Sequence, residues 1–383
     1  MPDATVQCDI AIAGGGLAGS LIALALAARQ PQLDVRIVEA GATLGGNHVW
    51  SFFDSDVAEA DRWIVAPLIV HHWAGYDVHF PKFSRTLDAG YNSITSDRLD
   101  AHVRAVLPPE RILRAEVREV TPEQIVLAGG GAITARRVID ARGPGDLSTL
   151  KLGWQKFVGQ RVRVPGGHGL TRPIVMDATV EQIDGYRFVY CLPFDAETVF
   201  IEDTYYSDTP DLDVTAIRER IIAYAAAKGW QTNGGGHEET GVLPVIVGGD
   251  FDAYWRSTGT GTAKAGIRSG MCQPTTGYTL PDAVRLASRL ATDPDLTPAQ
   301  FEAMARAHWQ ARGYYRMLDA MLFGAAEPER RYRIFERFYG LSAMLIDRFY
   351  AGQSTLIDKA RILTGKPPVP IGRAIRAIWG LRT

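Results

Sequence analysis

The chain has 383 residues, of which 46% are hydrophobic and 22% charged, and its formal net charge is −2. This composition is typical of a folded protein of two or three domains, and it lacks the strongly basic character that would indicate nucleic-acid binding. The charge is unevenly distributed, because residues 301–383 carry 14 lysines and arginines against 7 acidic residues. The last fifth of the chain is therefore predicted to meet an anionic surface or partner.

The cysteines indicate a reducing compartment. Cys8, Cys191 and Cys272 have neither the spacing of a metal site nor an even disulfide framework. Residues 10–28 carry no charge, but three consecutive glycines within them favour a strand, a turn and a helix over a membrane-spanning segment. No basic region precedes this stretch, so we do not expect a secretory signal, and we predict a cytoplasmic protein.

The first elements predicted along the chain form a strand–helix–strand unit. Ile10–Ala13 is a short apolar run that indicates a buried parallel strand, and Leu17–Arg29 is predicted to be a buried helix. Val35–Glu39 is predicted to be a second strand. Its last residue, Glu39, comes 20 residues after Gly19 and is placed to bind a ribose hydroxyl.

The turn between the first strand and the helix carries a glycine fingerprint. Gly14, Gly16 and Gly19 fit the pattern G-x-G-x-x-G. In this pattern the first glycine permits the turn, the second admits a pyrophosphate, and the third lets the helix pack closely on the strand. The start of the helix, at Leu17 and Ala18, offers free N–H groups to phosphate. The fingerprint predicts a dinucleotide site, and the alternative is a glycine turn without a cofactor.

Three later loops are predicted to close on the same site. A Gly-Gly pair follows the second strand, another predicted strand ends in glycines, and the glycine-rich segment 266–278 is a second candidate loop for a phosphate or a ring. The candidate cofactor residues in these loops are Gly45, Gly46, Ala141, Gly143, Thr276 and Gly277.

Residues 50–83 are rich in aromatic side chains and include His71, His72 and His79. We interpret them as core or pocket wall and predict no metal site, because adjacent residues of a strand face opposite ways. The segments that follow are predicted to be a capped helix and three short strands, namely Ser96–Leu107, Ile112–Val120, Ile125–Leu127 and Val138–Ala141.

Residues 159–204 show the alternation of β structure, and their last strand contains two acidic residues among apolar ones. Because successive side chains of a strand point to opposite faces, Phe200, Glu202 and Thr204 are predicted to share one face. Asp203 and its apolar neighbours are predicted to share the other. Glu202 and Asp203 are the candidate catalytic acids. The alternative is a strand end that runs into an exposed turn.

The rest of the chain is predicted to be largely helical. Helices are expected at Val214–Ala227, Leu280–Leu290 and Arg333–Tyr350, followed by a stiff linker at Lys366–Pro370 and a helix at Ile371–Leu381. The last helix is basic and amphipathic, which suits an anionic membrane surface. A terminal helix docked on the core is the equally open alternative.

Several of these segments together resemble the bacterial lycopene β-cyclase family. Besides the glycine fingerprint, the resemblance rests on Phe200-Ile201-Glu202-Asp203-Thr204, Pro274-Thr275-Thr276-Gly277-Tyr278, Arg337-Phe338-Tyr339 and residues 358–370. It covers essentially the whole chain. The acid-bearing strand and the Pro-Thr-Thr-Gly-Tyr loop are its more specific parts, because the fingerprint is shared by flavin and NAD folds.

The resemblance implies an α/β fold similar to that of aromatic hydroxylase-type flavoproteins. A Rossmann-type FAD-binding domain would comprise residues 1–75, 96–150 and 250–297. An inserted β-rich substrate domain would comprise residues 76–95 and 151–249, and C-terminal helices would occupy residues 298–383. Several loops from distant parts of the chain would then meet at one cofactor.

The activity that the resemblance implies is the closure of the acyclic ends of lycopene, and of other carotenoids with such ends, into β-ionone rings. The family requires reduced FAD, with NAD(P)H as the expected reductant, yet its reaction has no net redox change. A neutral acid, Glu202 first and Asp203 as the alternative, would start a carbocation reaction. The enzyme would lie on the inner face of the cell membrane as a peripheral protein. A flavin-dependent monooxygenase or reductase and a carotenoid-binding protein are the alternatives.

Overall fold

The computed structural model describes residues 5–365 and 369–380. Its strands are β1 (Thr5–Ala13), β2 (Val35–Glu39), β3 (Val49–Phe53), β4 (His71–Trp73), β5 (Tyr76–Phe80), β6 (Phe83–Leu87), β7 (Tyr91–Thr95), β8 (Ile112–Arg114), β9 (Val117–Val120), β10 (Gln124–Leu127), β11 (Ala132–Asp140), β12 (Leu150–Arg163), β13 (Ile174–Asp177), β14 (Tyr186–Pro193), β15 (Thr198–Ser207), β16 (Asn233–Gly249) and β17 (Ala263–Lys264). Its helices are α1 (Leu17–Arg29), α2 (Arg62–Val65), α3 (Ser96–Val106), α4 (Val214–Ala227), α5 (Phe251–Arg256), α6 (Leu280–Thr292), α7 (Pro298–Ala311), α8 (Gly313–Gly324), α9 (Tyr332–Tyr339), α10 (Ala343–Tyr350), α11 (Leu356–Leu363) and α12 (Ile371–Trp379).

The first sheet has the strand order β8-β2-β1-β11-β10-β9, with β17 added on β11. Strands β8, β2, β1, β11 and β17 are parallel, whereas β10 and β9 are antiparallel. Helices α1 and α6 pack against each other and share one hydrophobic core with apolar residues of this sheet. The carboxyl ends of the parallel strands form one edge, where loops from distant parts of the chain meet.

The second sheet has the order β16-β12-β15-β14-β13-β5-β6, and its neighbours are antiparallel except for β13 with β5. One face packs on α4 in an aliphatic core. The other face carries a row of aromatic side chains that pack with the C-terminal helices. Strands β3, β7 and β4 make a small third sheet. The predicted domain division stays a prediction, and β5 and β6 lie in the second sheet while β7 lies in the third.

Three predicted elements differ from those in the structure. The run Ile112–Val120 contains two strands, β8 and β9, at opposite edges of the first sheet. Arg333–Tyr350 contains two helices, α9 and α10, because α9 ends before Gly340 and the chain turns there. The predicted last helix ends at Trp379, and both Leu381 and most of the predicted linker lie outside the described residues.

Candidate active site

The three fingerprint glycines meet three different surroundings. A Cβ atom on Gly14, whose φ is +102°, would lie 2.8 Å from the carbonyl carbon of Ala141, and one on Gly19 would lie 2.0 Å from the Gly14 carbonyl oxygen. Close backbone packing therefore requires these two glycines. A Cβ atom on Gly16 would meet no heavy atom within 4 Å. Since no protein atom fills the space at Gly16, its surroundings fit a ligand that approaches the backbone, as the pyrophosphate of a dinucleotide does.

Glu39 is tied to the fingerprint loop. Its Oε2 accepts a hydrogen bond of 2.8 Å from the Gly15 N–H, and its Oε1 accepts one of 2.8 Å from the Gly41 N–H. Each carboxylate oxygen has a second lone pair. Glu39 is therefore oriented by the backbone and still able to accept a bond from a hydroxyl group.

The other predicted loops reach the same edge of the first sheet. The Gly45 N–H donates to the Gly15 carbonyl oxygen at 2.9 Å, and both Gly45 and Gly46 have positive φ values of +78° and +68°. Ala141 lies against Gly14, and nothing lies within 4 Å of a Cβ atom placed on Gly143. These loops surround the N terminus of α1, where Leu17 and Ala18 begin the helix.

The loop 266–278 connects this edge to the second sheet. At its start, a Cβ atom on Gly266 would lie 3.1 Å from the Ala18 Cβ. At its end, the Tyr206 hydroxyl donates to the Thr275 carbonyl oxygen at 2.9 Å. Thr276 is buried, and Gly277 has a φ of +69°. The loop therefore runs from the N terminus of α1 to the second sheet.

Glu202 and Asp203 lie on opposite faces of strand β15, as the alternation of side chains along a strand predicts. Glu202 lies opposite Tyr190 of β14 and Gly159 of β12, on the face that carries the aromatic row. Its Oε1 accepts a 2.6 Å hydrogen bond from the Thr204 hydroxyl. Burial and, to a smaller extent, the nearby charge of Glu239 together raise the pKa of Glu202 to about 8. Glu202 is thus mostly protonated at neutral pH, which is the form that can act as an acid.

Asp203 lies on the opposite face and is fully buried. The Arg187 guanidinium holds its carboxylate from two sides, with Nε at 2.9 Å from Oδ1 and Nη2 at 2.9 Å from Oδ2. The Tyr205 hydroxyl donates to Oδ2 at 2.9 Å, and Arg220 in turn donates to Tyr205 at 2.9 Å. The structure therefore does not bring Asp203 to the face that carries Glu202.

Two residues that the sequence analysis did not select lie beside Glu202. Glu239 of β16 also faces Gly159, so Glu202 and Glu239 flank a residue without a side chain. Glu239 is 3% exposed and accepts bonds from His48 Nδ1 at 2.8 Å and from the Val49 N–H at 2.9 Å. Glu239 thereby links the acid-bearing sheet to the Gly45-Gly46 loop. Only the pairing of β12 with β16, which are distant in sequence, could reveal it.

A cavity of about 340 Å³ lies between the second sheet and the C-terminal helices. Its lining includes Tyr206, Thr275 and Thr276 and, from the C-terminal helices, Leu363 and Ile371. Most of the remaining lining is apolar. Tyr206 lies on the same face of β15 as Glu202, four residues further along, which is about 13 Å on an extended strand.

Helix α12 docks on α8 and still exposes apolar side chains. A Cβ atom on Gly324 of α8 would lie 3.0 Å from the Ala377 Cβ, so the two helices pack closely. Ile371, Ile375 and Trp379 are exposed by 63%, 48% and 68%. Within residues 5–365 and 369–380, no helix is long and apolar enough to span a bilayer. In the same part of the chain, no cluster of three or more His, Cys, Asp or Glu side chains is arranged to hold a metal ion.

The fold was compared with solved structures. A flavin-dependent brominase matches with a TM-score of 0.59 at 13% identity, over 91% of this chain and 94% of its own. A 2-methyl-3-hydroxypyridine-5-carboxylic acid oxygenase matches with a TM-score of 0.58 at 14% identity, over 93% of this chain and 98% of its own. The predicted fold class, an α/β fold similar to that of flavoproteins of the aromatic hydroxylase type, is confirmed.

The sequence was compared with protein families and with individual relatives. The model described as lycopene cyclase protein matches residues 9–376. A lycopene beta-cyclase of Pseudescherichia vulneris is 46% identical, and one of Pantoea ananas is 45% identical. These two alignments cover 96% and 97% of this chain, and the same shares of the relatives.

Proposed function

The chain belongs to the lycopene cyclase family, and we propose that it closes the acyclic ends of lycopene into β-ionone rings, first giving γ-carotene and then β-carotene. Other carotenoids with acyclic ends are substrates of the same kind. The proposed reaction is an isomerisation, in which a proton is added to the chain end and another is removed from the new ring. The observation that carries this proposal is the position of Glu202, whose pKa is raised by burial, on the aromatic face of the second sheet.

Glu202 is the proposed proton donor. An isolated alkene carbon is a weak base, so its protonation needs a neutral acid in a site that excludes water. The raised pKa of Glu202 keeps it neutral, and the Thr204 hydroxyl orients its Oε1. Glu202→Gln keeps the shape and accepts the same hydrogen bond but has no proton to transfer. Ring formation should fall by about 10²–10⁴-fold, since this is the contribution of a general acid.

Asp203 is assigned a structural role in this proposal. Its carboxylate faces away from Glu202 and is neutralised by Arg187. Asp203→Asn removes the charge partner of a buried guanidinium and should lower stability. Protein that does fold should form rings at a rate much closer to that of the unmodified chain than the Glu202→Gln variant does.

FAD is the proposed cofactor, and the residues around Gly16 fit it. The fingerprint loop and the start of α1 would hold the pyrophosphate, and Glu39 would accept a ribose hydroxyl. Gly45, Gly46, Ala141, Gly143, Thr276 and Gly277 would surround the remainder of the molecule. When bound in its reduced state, the flavin supplies negative charge that stabilises a nearby cation. NAD(P)H is the proposed source of the electrons that reduce it.

The aromatic row supplies the surface against which a cation can form. Tyr186, Phe188 and Tyr190 of β14 share the face of Glu202, and Phe200 and Tyr206 of β15 extend it. Aromatic faces attract a cation without forming a bond to it. The cation can therefore persist until ring closure, and the proton on the new ring is then lost to a base.

The cavity between the second sheet and the C-terminal helices, together with α12, is the proposed route for the substrate. Lycopene is a hydrocarbon that resides in lipid, and the apolar residues of α12 lie partly in solvent and partly at the cavity. Arg373 and Arg376 add positive charge to the same helix. We propose that α12 rests on an anionic membrane surface and that the protein is peripheral, on the cytoplasmic side of the membrane.

The experiment that tests the reaction class uses D₂O under anaerobic conditions with chemically reduced FAD. We expect one solvent deuterium per ring, an otherwise unchanged carotenoid mass, and no consumption of nicotinamide once the flavin is reduced. A product that gains oxygen, or that gains or loses two hydrogens, would refute the isomerisation and favour a flavin-dependent monooxygenase or reductase. Glu202→Gln with bound FAD is the matched control.

A further inference from the structure

Two polar side chains that line the cavity beside the C-terminal helices have no part in the proposed ring closure. Asp319 of α8 is fully buried, and neither of its carboxyl oxygens has a hydrogen-bond partner among the described residues. The Thr275 hydroxyl, 6% exposed, lies close enough to Asp319 to lower the pKa of that carboxyl, but no hydrogen bond of good geometry joins the two side chains. Both residues line the same cavity. A pair of polar groups with unused hydrogen-bonding capacity therefore faces one largely apolar space.

Such an arrangement is costly for the protein. A buried polar group without a partner has lost its hydrogen bonds to water and gained none in return. Asp203, by comparison, is paired with Arg187. Arg316, one helical turn before Asp319, donates instead to the Trp309 carbonyl oxygen at 2.7 Å and stacks on the Trp309 ring. A cavity meant only for a hydrocarbon would not need these polar groups.

The chemistry of the pair suits a neutral oxygen atom. Burial raises the pKa of Asp319 well above its ordinary value, so the group is a carboxylic acid that can both donate and accept a hydrogen bond. The Thr275 hydroxyl, which lies beside it, can also do both. Together they match a hydroxyl or a carbonyl group and offer no countercharge to an ion.

We propose that Asp319 and Thr275 form a subsite for a hydroxyl or carbonyl oxygen on the polyene chain of a substrate. The enzyme would then accept acyclic polyene alcohols and aldehydes besides the hydrocarbon. The polyene part of this inference rests on the proposed function. Thr275 contacts Tyr206, which lies about 13 Å along β15 from Glu202. The oxygen therefore belongs on a part of the chain remote from the end that reacts.

Binding without turnover tests this subsite. Glu202→Gln protein loaded with FAD is titrated with acyclic polyene aldehydes of increasing length, each compared with the hydrocarbon of the same length in the same micelles. We expect the aldehyde to bind about tenfold more tightly at one chain length, where its oxygen reaches Asp319, and to show little preference at the others. Because no ring is formed, this result does not depend on Glu202 as the proton donor.

Three further variants, each made in the Glu202→Gln protein, test whether Asp319 and Thr275 cause the preference for the aldehyde over the hydrocarbon. Asp319→Leu should abolish it and leave the affinity for the hydrocarbon unchanged or higher. Asp319→Asn should retain it, because a neutral amide also donates and accepts. Thr275→Val should weaken it and also serves as the second probe if Asp319→Leu does not fold. Equal affinities at every length, as expected if the pair holds only water, would overturn the proposal. So would a loss of bound FAD in Asp319→Leu without a change in preference.

Discussion

Replacing Glu202 by glutamine should change how the stability of the folded protein depends on pH. In the folded chain the pKa of Glu202 is about 8, against an ordinary value of 4.5. Between these two pH values the folded protein keeps a proton that the unfolded chain has released. The free energy of unfolding of the unmodified protein therefore falls as pH rises through this window. The glutamine variant has no such proton, so its free energy of unfolding does not fall in this way.

The magnitude follows from the two pKa values. At 1.36 kcal/mol for each pH unit, the interval from 4.5 to about 8 corresponds to about 5 kcal/mol. Glu202 is half deprotonated in the unfolded chain at pH 4.5 and half deprotonated in the folded chain at pH 8, which reduces the difference accumulated between these pH values to about 4 kcal/mol. The advantage of Glu202→Gln over the unmodified chain should thus be near zero at pH 4.5 and about 4 kcal/mol at pH 8.

The assay is urea unfolding at fixed FAD and ionic strength, followed by intrinsic fluorescence at closely spaced pH values. Infrared difference spectroscopy provides a direct second readout, because the C=O band of a protonated carboxyl should disappear near pH 8 and be absent in the variant. Asp203→Asn is the comparison variant, since it alters the neighbouring acid and should destabilise by about 3–5 kcal/mol because it removes the partner of the buried Arg187 guanidinium. A stability difference between Glu202→Gln and the unmodified chain that is flat from pH 4.5 to pH 8 would refute the reasoning.

Three further predictions concern the glycine fingerprint loop, helix α12 and Glu239. Gly16→Val should yield folded protein without flavin, because the side chain enters the space left for the pyrophosphate, whereas Gly129→Val in a distant open turn should bind flavin normally. Trp379→Ala should lower the affinity for anionic vesicles about tenfold in sedimentation assays, and Val106→Ala, another exposed apolar residue, should not. Glu239→Gln removes a negative charge beside the proton donor and should shift the alkaline limb of the pH–rate profile to lower pH.

Each of these predictions has a result that contradicts it. Flavin-bound, active Gly16→Val protein would remove the cofactor from this loop. Equal vesicle binding of the Trp379→Ala variant and the unmodified chain would leave α12 as a docked helix without a role at the membrane. An unchanged pH–rate profile in Glu239→Gln, together with normal flavin content, would limit Glu239 to anchoring His48 and Val49.

Local sequence was sufficient for the features that depend on neighbours along the chain. The glycine fingerprint could be read directly, because the contact between Gly19 and the Gly14 carbonyl oxygen involves residues a few positions apart. The close approach of Gly14 to Ala141, by contrast, joins residues far apart in sequence. The opposite orientation of Glu202 and Asp203 was also predictable, because side chains alternate along any strand. The break at Gly340 was not anticipated, since the apolar spacing of α9 continues into α10 and only the packing of the two helices separates them.

Tertiary structure decided the surroundings of the two acids. Alternation alone could not say which of them has a charged partner. That followed from the aromatic row beside Glu202 and from Arg187 beside Asp203. Glu239 lies near Glu202 because β12 pairs with both β15 and β16, and Asp319 faces a cavity because α8 packs against the second sheet. These positions depend on contacts between residues far apart in sequence, and a pKa depends on the burial and charge that such contacts create.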